Sequence, residues 1–136
     1  MSQLIKFMAV IPACNEAKHI AQVVKAARRF MPVLVIDDGS TDETAQLAQA
    51  AGAEVLRQRN QGKGAALRAG FLHALDLGCE AVITLDGDGQ HDPNEIYRFL
   101  QAYSARPADL IIGQRNFAQM PLRRRLANTF GRWLFT

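Results

Sequence analysis

The sequence predicts an α/β domain, a mainly parallel sheet with helices on both faces. Two observations carry that reading. Short apolar runs alternate with segments of helical periodicity along nearly the whole chain, in the order βαβαβαβαβα. The apolar runs are close to uninterrupted, as strands covered on both faces require. The 136 residues are 49% hydrophobic and 21% charged, a balance that suits one domain with a real core.

LIKFMAVI (4 to 11) is the first buried strand. Residues 17 to 30 carry Ile20, Val23, Val24, Ala27 and Phe30 at helical spacing. PVLVID (32 to 37) is the second strand. Ser40 and Glu43 form a capping-box pattern ahead of a helix over 41 to 51, which Gly52 stops. AEVLR (53 to 57) is a short third strand. A helix over 64 to 77 shows Leu67, Phe71 and Leu75 on one face, with Gly78 as its stop. CEAVITL (79 to 85) is the fourth strand. Asp92 and Pro93 provide an N-cap and first-turn proline for a helix to about 103. DLIIG (109 to 113) is expected to be a fifth strand, and 121 to 135 an amphipathic basic helix.

No stretch is long enough to span a bilayer, and the N-terminus enters a strand directly, so no signal peptide is expected. Cys14 and Cys79 lack metal-like spacing and suggest no disulfide framework. A reducing, cytoplasmic setting follows. The net charge of +3 is uneven: residues 1 to 120 hold 12 Lys/Arg and 13 Asp/Glu, giving −1, while 121 to 136 hold four arginines and no acid, giving +4. A nucleic-acid binder is therefore disfavoured, because the tail is the only basic patch. Such a tail suits anionic lipid or phosphate, or else a solvated helix face.

In parallel sheets ligands bind beyond the carboxyl ends of the strands. Three polar loops are expected there: PACNE, DDGSTD and DGDGQHD. Asp86 and Asp88 flank Gly87, so in extended backbone their side chains point the same way. Two carboxylates aimed together repel unless a cation joins them, and hard divalent ions accept one or two carboxylates plus substrate phosphates. Gln90 adds a neutral oxygen. The simpler alternative is an Asp-Gly turn. Asp37 and Asp38 can accept hydrogen bonds from a base or a ribose, or can simply turn the chain. Asn15 can cap the next helix, and Glu16 lies in its first turn. Gly62, Lys63 and Gly64 open a helix where backbone N–H groups can hold phosphate, without matching a dinucleotide or P-loop pattern. His91 is a single histidine beside the acid loop, more often a loop residue than a ligand.

Taken together, IPACNE (11 to 16), IDDGSTDET (36 to 44), GKGAALRAGF (62 to 71), DGDGQHDP (86 to 93) and GQR (113 to 115) resemble family 2 glycosyltransferases, especially the polyprenyl-phosphate sugar synthases of the dolichyl-phosphate mannose synthase group. The resemblance implies a GT-A-type nucleotide-sugar-binding fold over 1 to 120. It implies that Pro12, Ala13, Glu16, Asp37, Asp38, Lys63 and Asp86 bind the nucleotide, and that Asp86, Asp88 and Gln90 hold Mg2+ or Mn2+. Asp88, Arg115 and Arg125 would be the catalytic set, the arginines facing an acceptor phosphate. Thr129 and Gly131 extend the looser acceptor element, and Cys14 stands where relatives often carry an aromatic residue. The implied activity is transfer of a sugar from a UDP- or GDP-linked donor to a polyprenyl phosphate, with peripheral contact at the cytoplasmic face of a membrane. Residues 121 to 136 would begin an acceptor- and membrane-proximal region that the chain truncates. The alternatives are a truncated, non-catalytic nucleotide-sugar-binding domain and a haloacid-dehalogenase-like phosphatase, whose signature LDGDG partly mimics.

Overall fold

The computed structural model describes residues 6–113. Four parallel strands, β1 (Phe7–Ala13), β2 (Val33–Asp38), β3 (Glu54–Gln58) and β4 (Ala81–Thr84), form one sheet in the order β3-β2-β1-β4. Helices α1 (Ile20–Ala27), α2 (Thr44–Ala50), α3 (Lys63–Asp76) and α4 (Ile96–Ala105) connect and follow them. The chain leaves β1 toward β2 and β3, then returns to the other side of β1 for β4. The strand order therefore reverses between β1 and β4, which makes that point the crevice where such sheets bind ligands.

Strand alternation divides the core between two faces. Ala9, Ile11, Val33 and Val35 pack with Ile20, Val24 and Ala27 of α1, Ala48 of α2 and Ile96 of α4. Met8, Val10, Leu34 and Ile36 face the other way, against Ala66 and Ala74 of α3. The parallel sheet with helices on both faces is thus as expected.

Three local expectations change. α3 does not bury the face carrying Leu67, Phe71 and Leu75: Phe71 is 42% and Leu75 70% exposed, and Leu67 is only partly covered. Its buried residues are Ala66, Gly70 and Ala74. Small residues win because they allow a closer approach, and a Cβ on Gly70 would lie 2.4 Å from Val10 Cγ1. The capping box is not formed. Glu43 makes no side-chain cap bond, and Asp42 instead accepts the Thr44 N–H at 3.0 Å. Residues 109–113 are not a strand: they pair with none of the described strands, and Leu110 and Ile112 stay 75% and 77% exposed. An apolar run without a ladder partner or a covering helix has nothing to hold it as a strand. The Asp92 cap is present, with its carboxylate accepting Asn94 N–H at 2.9 Å ahead of a 3-10 turn at Pro93–Glu95. The expected helix over 121 to 135 lies outside the described residues.

The tight seat of α3 gives a paired test. Gly70→Ala should destabilise the fold by about 1–3 kcal/mol through overpacking. Gly64→Ala, where an added Cβ meets nothing within 4 Å, should be neutral or stabilising by up to about 1 kcal/mol. Urea unfolding of the two variants checks the contrast, and equal effects would contradict the packing.

Candidate functional site

The register sets the rim. Ala13 pairs with Asp37, Asp38 pairs with Gln58, and Val10 pairs with Thr84. The loops after all four strands therefore emerge on one side. They are tied to one another by bonds between distant residues. Asn15 adopts φ 55, and its N–H donates to Ser40 Oγ at 2.9 Å. Glu16 N–H donates to Thr44 Oγ1 at 2.9 Å, and the Thr41 N–H donates to Asn15 Oδ1 at 2.9 Å. Asn15 thus does not cap α1, whose N-cap residue His19 makes no side-chain cap bond. The Thr44 hydroxyl in turn donates to Asp42 in a short bond.

Asp38 is buried and fastens the loop that follows β3. Its Oδ1 accepts Gln58 Nε2 at 2.9 Å and Gln61 N–H at 2.8 Å, and its Oδ2 accepts Gly62 N–H at 2.9 Å. The Gln58 bond, against the opposing effect of burial, and the two main-chain bonds hold its carboxyl below the usual carboxylate value. Asp37 turns inward and is fully buried. Its Oδ1 accepts Ser40 N–H at 3.2 Å. Its Oδ2 lies 3.2 Å from Arg57 Nε without hydrogen-bond alignment, an ion pair by distance only. Next to them, Cys14 Sγ receives Asn60 Nδ2 at 3.7 Å. Burial, then the charge of Asp38, pushes the Cys14 thiol up, so it is protonated at neutral pH.

The acid loop crosses the end of β1. A Cβ on Gly87 would lie 3.4 Å from both Ala13 Cβ and Ile20 Cδ1 and 3.5 Å from Glu16 Cγ. Asp86 Oδ1 meets Lys63 Nζ at 2.5 Å. The Asp86 N–H donates to His91 Nδ1 at 3.0 Å, and His91 Nε2 lies 3.6 Å from Asp86 Oδ2. Asp88 Oδ1 accepts the Gln90 N–H at 2.9 Å. Burial, then the negative charge of Asp88, raises the Glu16 carboxyl above its usual value; nearby His19 opposes this, and Asp42 and Asp86 add to it.

Pro12 and Ala13 at the end of β1, Asp37 and Asp38 at the end of β2, and Glu16, Lys63, Asp86, Asp88 and Gln90 in the loops beyond thus lie on the carboxyl rim, where Lys63 meets Asp86 and Gly87 lies against Ala13 and Glu16. Arg115 and Arg125 lie outside the described residues. Among the described residues no three His, Cys, Asp or Glu side chains converge as a ready metal cage. The donors present are hard carboxylate oxygens in small number. That set fits a divalent ion shared with substrate phosphates better than one enclosed by protein. A concavity of about 420 Å³ lined by Met8, Phe30, Met31, Val33 and Glu54 opens at the opposite end of the strands and includes none of these residues.

Sequence reasoning passed over several contributors. His91 folds onto Asp86 five positions away, and that proximity was its available signal. Asp42, Thr44 and Gln58 act through bonds to residues 20 to 28 positions distant, which no local pattern announces.

Residues 8–134 match the family described as Glycosyl transferase family 2. The chain belongs to glycosyltransferase family 2. It is 36% identical over 146 residues to polyprenol monophosphomannose synthase of Mycolicibacterium smegmatis, covering 93% of this chain and 55% of that protein. It is 34% identical over 120 residues to undecaprenyl-phosphate mannosyltransferase of Micrococcus luteus, covering 82% and 49%. Among solved structures, glucosyl-3-phosphoglycerate synthase from Mycobacterium tuberculosis in complex with Mn2+, UDP-glucose and phosphoglyceric acid aligns at TM-score 0.56 and 25% identity, over 68% of this chain and 37% of that one. The family-2 chain spans about half the length of the curated relatives it matches. Its fold is of the GT-A type.

The Asp38 fastening gives a prediction on stability. Asp38→Ala leaves the Gln61 and Gly62 N–H groups without their acceptor and should cost about 1–3 kcal/mol in urea unfolding at pH 7. Because folding lowers this carboxyl from its ordinary 3.8, its contribution is full above that value. It fades as pH falls through the lowered one. The gap between wild type and variant should therefore narrow in strongly acidic buffer, and a gap that widens there would contradict the assignment.

Proposed function

We propose that this family-2 domain binds a UDP- or GDP-linked sugar together with Mg2+ or Mn2+ on the carboxyl rim. In the whole protein it would pass the sugar to a polyprenyl phosphate. The observation that carries the reading is the meeting of Glu16, Asp86, Asp88 and Lys63 at the point where the strand order reverses. The printed activities of the mannosyltransferase and mannose synthase relatives support the acceptor class, and the Mn2+ and UDP-glucose of the structural neighbour support the donor and the ion.

In this reading Pro12, Ala13 and Glu16 line the nucleotide pocket, and Asp37 and Asp38 lie beside the base. Asp86, Asp88 and Gln90 hold the ion. When bound, the ion supplies electrostatic neutralisation of the departing diphosphate. Lys63, at the start of α3, offers its ammonium to the same phosphates. A phosphate acceptor is already ionised near neutral pH, so its oxygen can attack without a strong general base. Arg115 and Arg125 hold that acceptor. No helix among the described residues is long and apolar enough to cross a membrane. Contact with the bilayer is assigned to the basic segment 121–136, as a peripheral one.

Calorimetry with UDP- and GDP-sugars checks the donor site. Asp88→Ala should abolish the Mn2+-dependent part of nucleotide binding with an unchanged circular dichroism spectrum. Equal affinity with and without Mn2+ in the wild-type protein would sink the metal assignment. For the membrane, flotation with anionic vesicles should be seen at low salt and lost when Arg123, Arg124 and Arg125 are replaced by glutamine. No flotation at low salt would leave 121–136 without a role at the bilayer.

A further inference from the structure

Lys63 begins α3 directly after a loop whose main chain is held. The Asp38 carboxylate takes the Gln61 and Gly62 N–H groups at 2.8 and 2.9 Å, and Gly62 makes the turn at φ 98. This delivers the Lys63 ammonium to 2.5 Å from Asp86 Oδ1, although the lysine side chain is 62% exposed. An exposed lysine ordinarily gains little from such a pair, because ordering its long side chain offsets the attraction. Here the anchored loop has already fixed the start of the side chain, and the surroundings are acidic: Glu16, Asp86 and Asp88 sit together.

We propose that Lys63 is the resident counter-cation of the acid loop, competing with a divalent ion for Asp86 until a nucleoside diphosphate arrives to receive the ammonium. The inference rests on the metal-dependent reading above and adds an order to it. An ammonium and a divalent ion at one carboxylate repel each other at close range. A diphosphate supplies the negative charge that lets both remain. The ion is then held weakly by the empty rim and tightly by the rim that carries its donor. Lys63 thereby makes metal loading conditional on the nucleotide.

Mn2+ titration followed by electron paramagnetic resonance, with no nucleotide present, tests this. Lys63→Met keeps the length of the side chain and removes the charge, and should bind Mn2+ about tenfold more tightly than wild type. Lys63→Arg, which keeps the charge, should stay near wild type. Adding Asp88→Asn to Lys63→Met should remove the gain, which fixes the ion to the acid loop. Equal Mn2+ affinity in wild type and Lys63→Met, or a gain that survives Asp88→Asn, overturns the role of Lys63. If wild type binds Mn2+ only with UDP or GDP while Lys63→Met gains nothing without them, the counter-cation role alone fails. If wild type binds no Mn2+ even with either nucleotide, the metal reading fails and takes this inference with it.

Discussion

Everything at the rim depends on the seat of β1 between two parallel neighbours. Val10 and Ile11 are fully buried there, and each face of the strand feeds a different half of the core. With β2 the register ends level, Ala13 opposite Asp37. With β4 it ends early, Thr84 opposite Val10, and the Leu85 N–H still bonds Val10 carbonyl at 3.2 Å. The acid loop therefore leaves the sheet three residues short of the end of β1 and must pass over it. Gly87 makes the crossing against Ala13 and Ile20, where an added Cβ would lie at ordinary contact distance from both.

The electrostatics follow from the same placement. Two carboxylates at the end of β4 and one at the corner after β1 are brought together by strand geometry, not by attraction. The Lys63 ammonium answers part of that charge at Asp86, and the Glu16 carboxyl is raised first by its burial and then by the charge of Asp88. Asp38 shows the opposite design. It is almost wholly buried, yet three N–H donors keep it ionised, so a negative charge in the interior becomes the fastening of a loop.

The fold was legible because its signal is regional. Continuous apolar runs and their alternation with helical periodicity survive any single misreading, and the positions of the loops then follow from chain direction. Failures came where one atom or one missing atom decides. The face of α3 is chosen by the absent Cβ of Gly70, and the periodicity of larger residues pointed to the wrong side. Ser40 and Glu43 have the spacing of a capping box, but the Ser40 hydroxyl is taken by Asn15, 25 positions earlier. Residues 109–113 have strand composition, and composition cannot supply a ladder partner. At the site, residue types and spacing paired Asp86 with Asp88 and put the loop of Glu16 on the same rim, while the lysine contact at Asp86 required the fold of the loop pinned by Asp38.

The bonds between the loop after β1 and the loop after β2 run in both directions. Ser40, Thr44 and Asp42 accept N–H groups of residues 15 to 17, and Asn15 accepts one of residue 41. Each loop thus completes its hydrogen bonding with the other. For a lineage drifting in sequence, or for a designer moving specificity between relatives, the two segments behave as one inherited unit. A graft of IDDGSTDET without Asn15 would leave the Thr41 N–H without its acceptor, and a graft of IPACNE without Ser40, Asp42 and Thr44 would leave three N–H groups without theirs. Change at this rim is therefore expected to come in pairs of segments, with the strands beneath left alone.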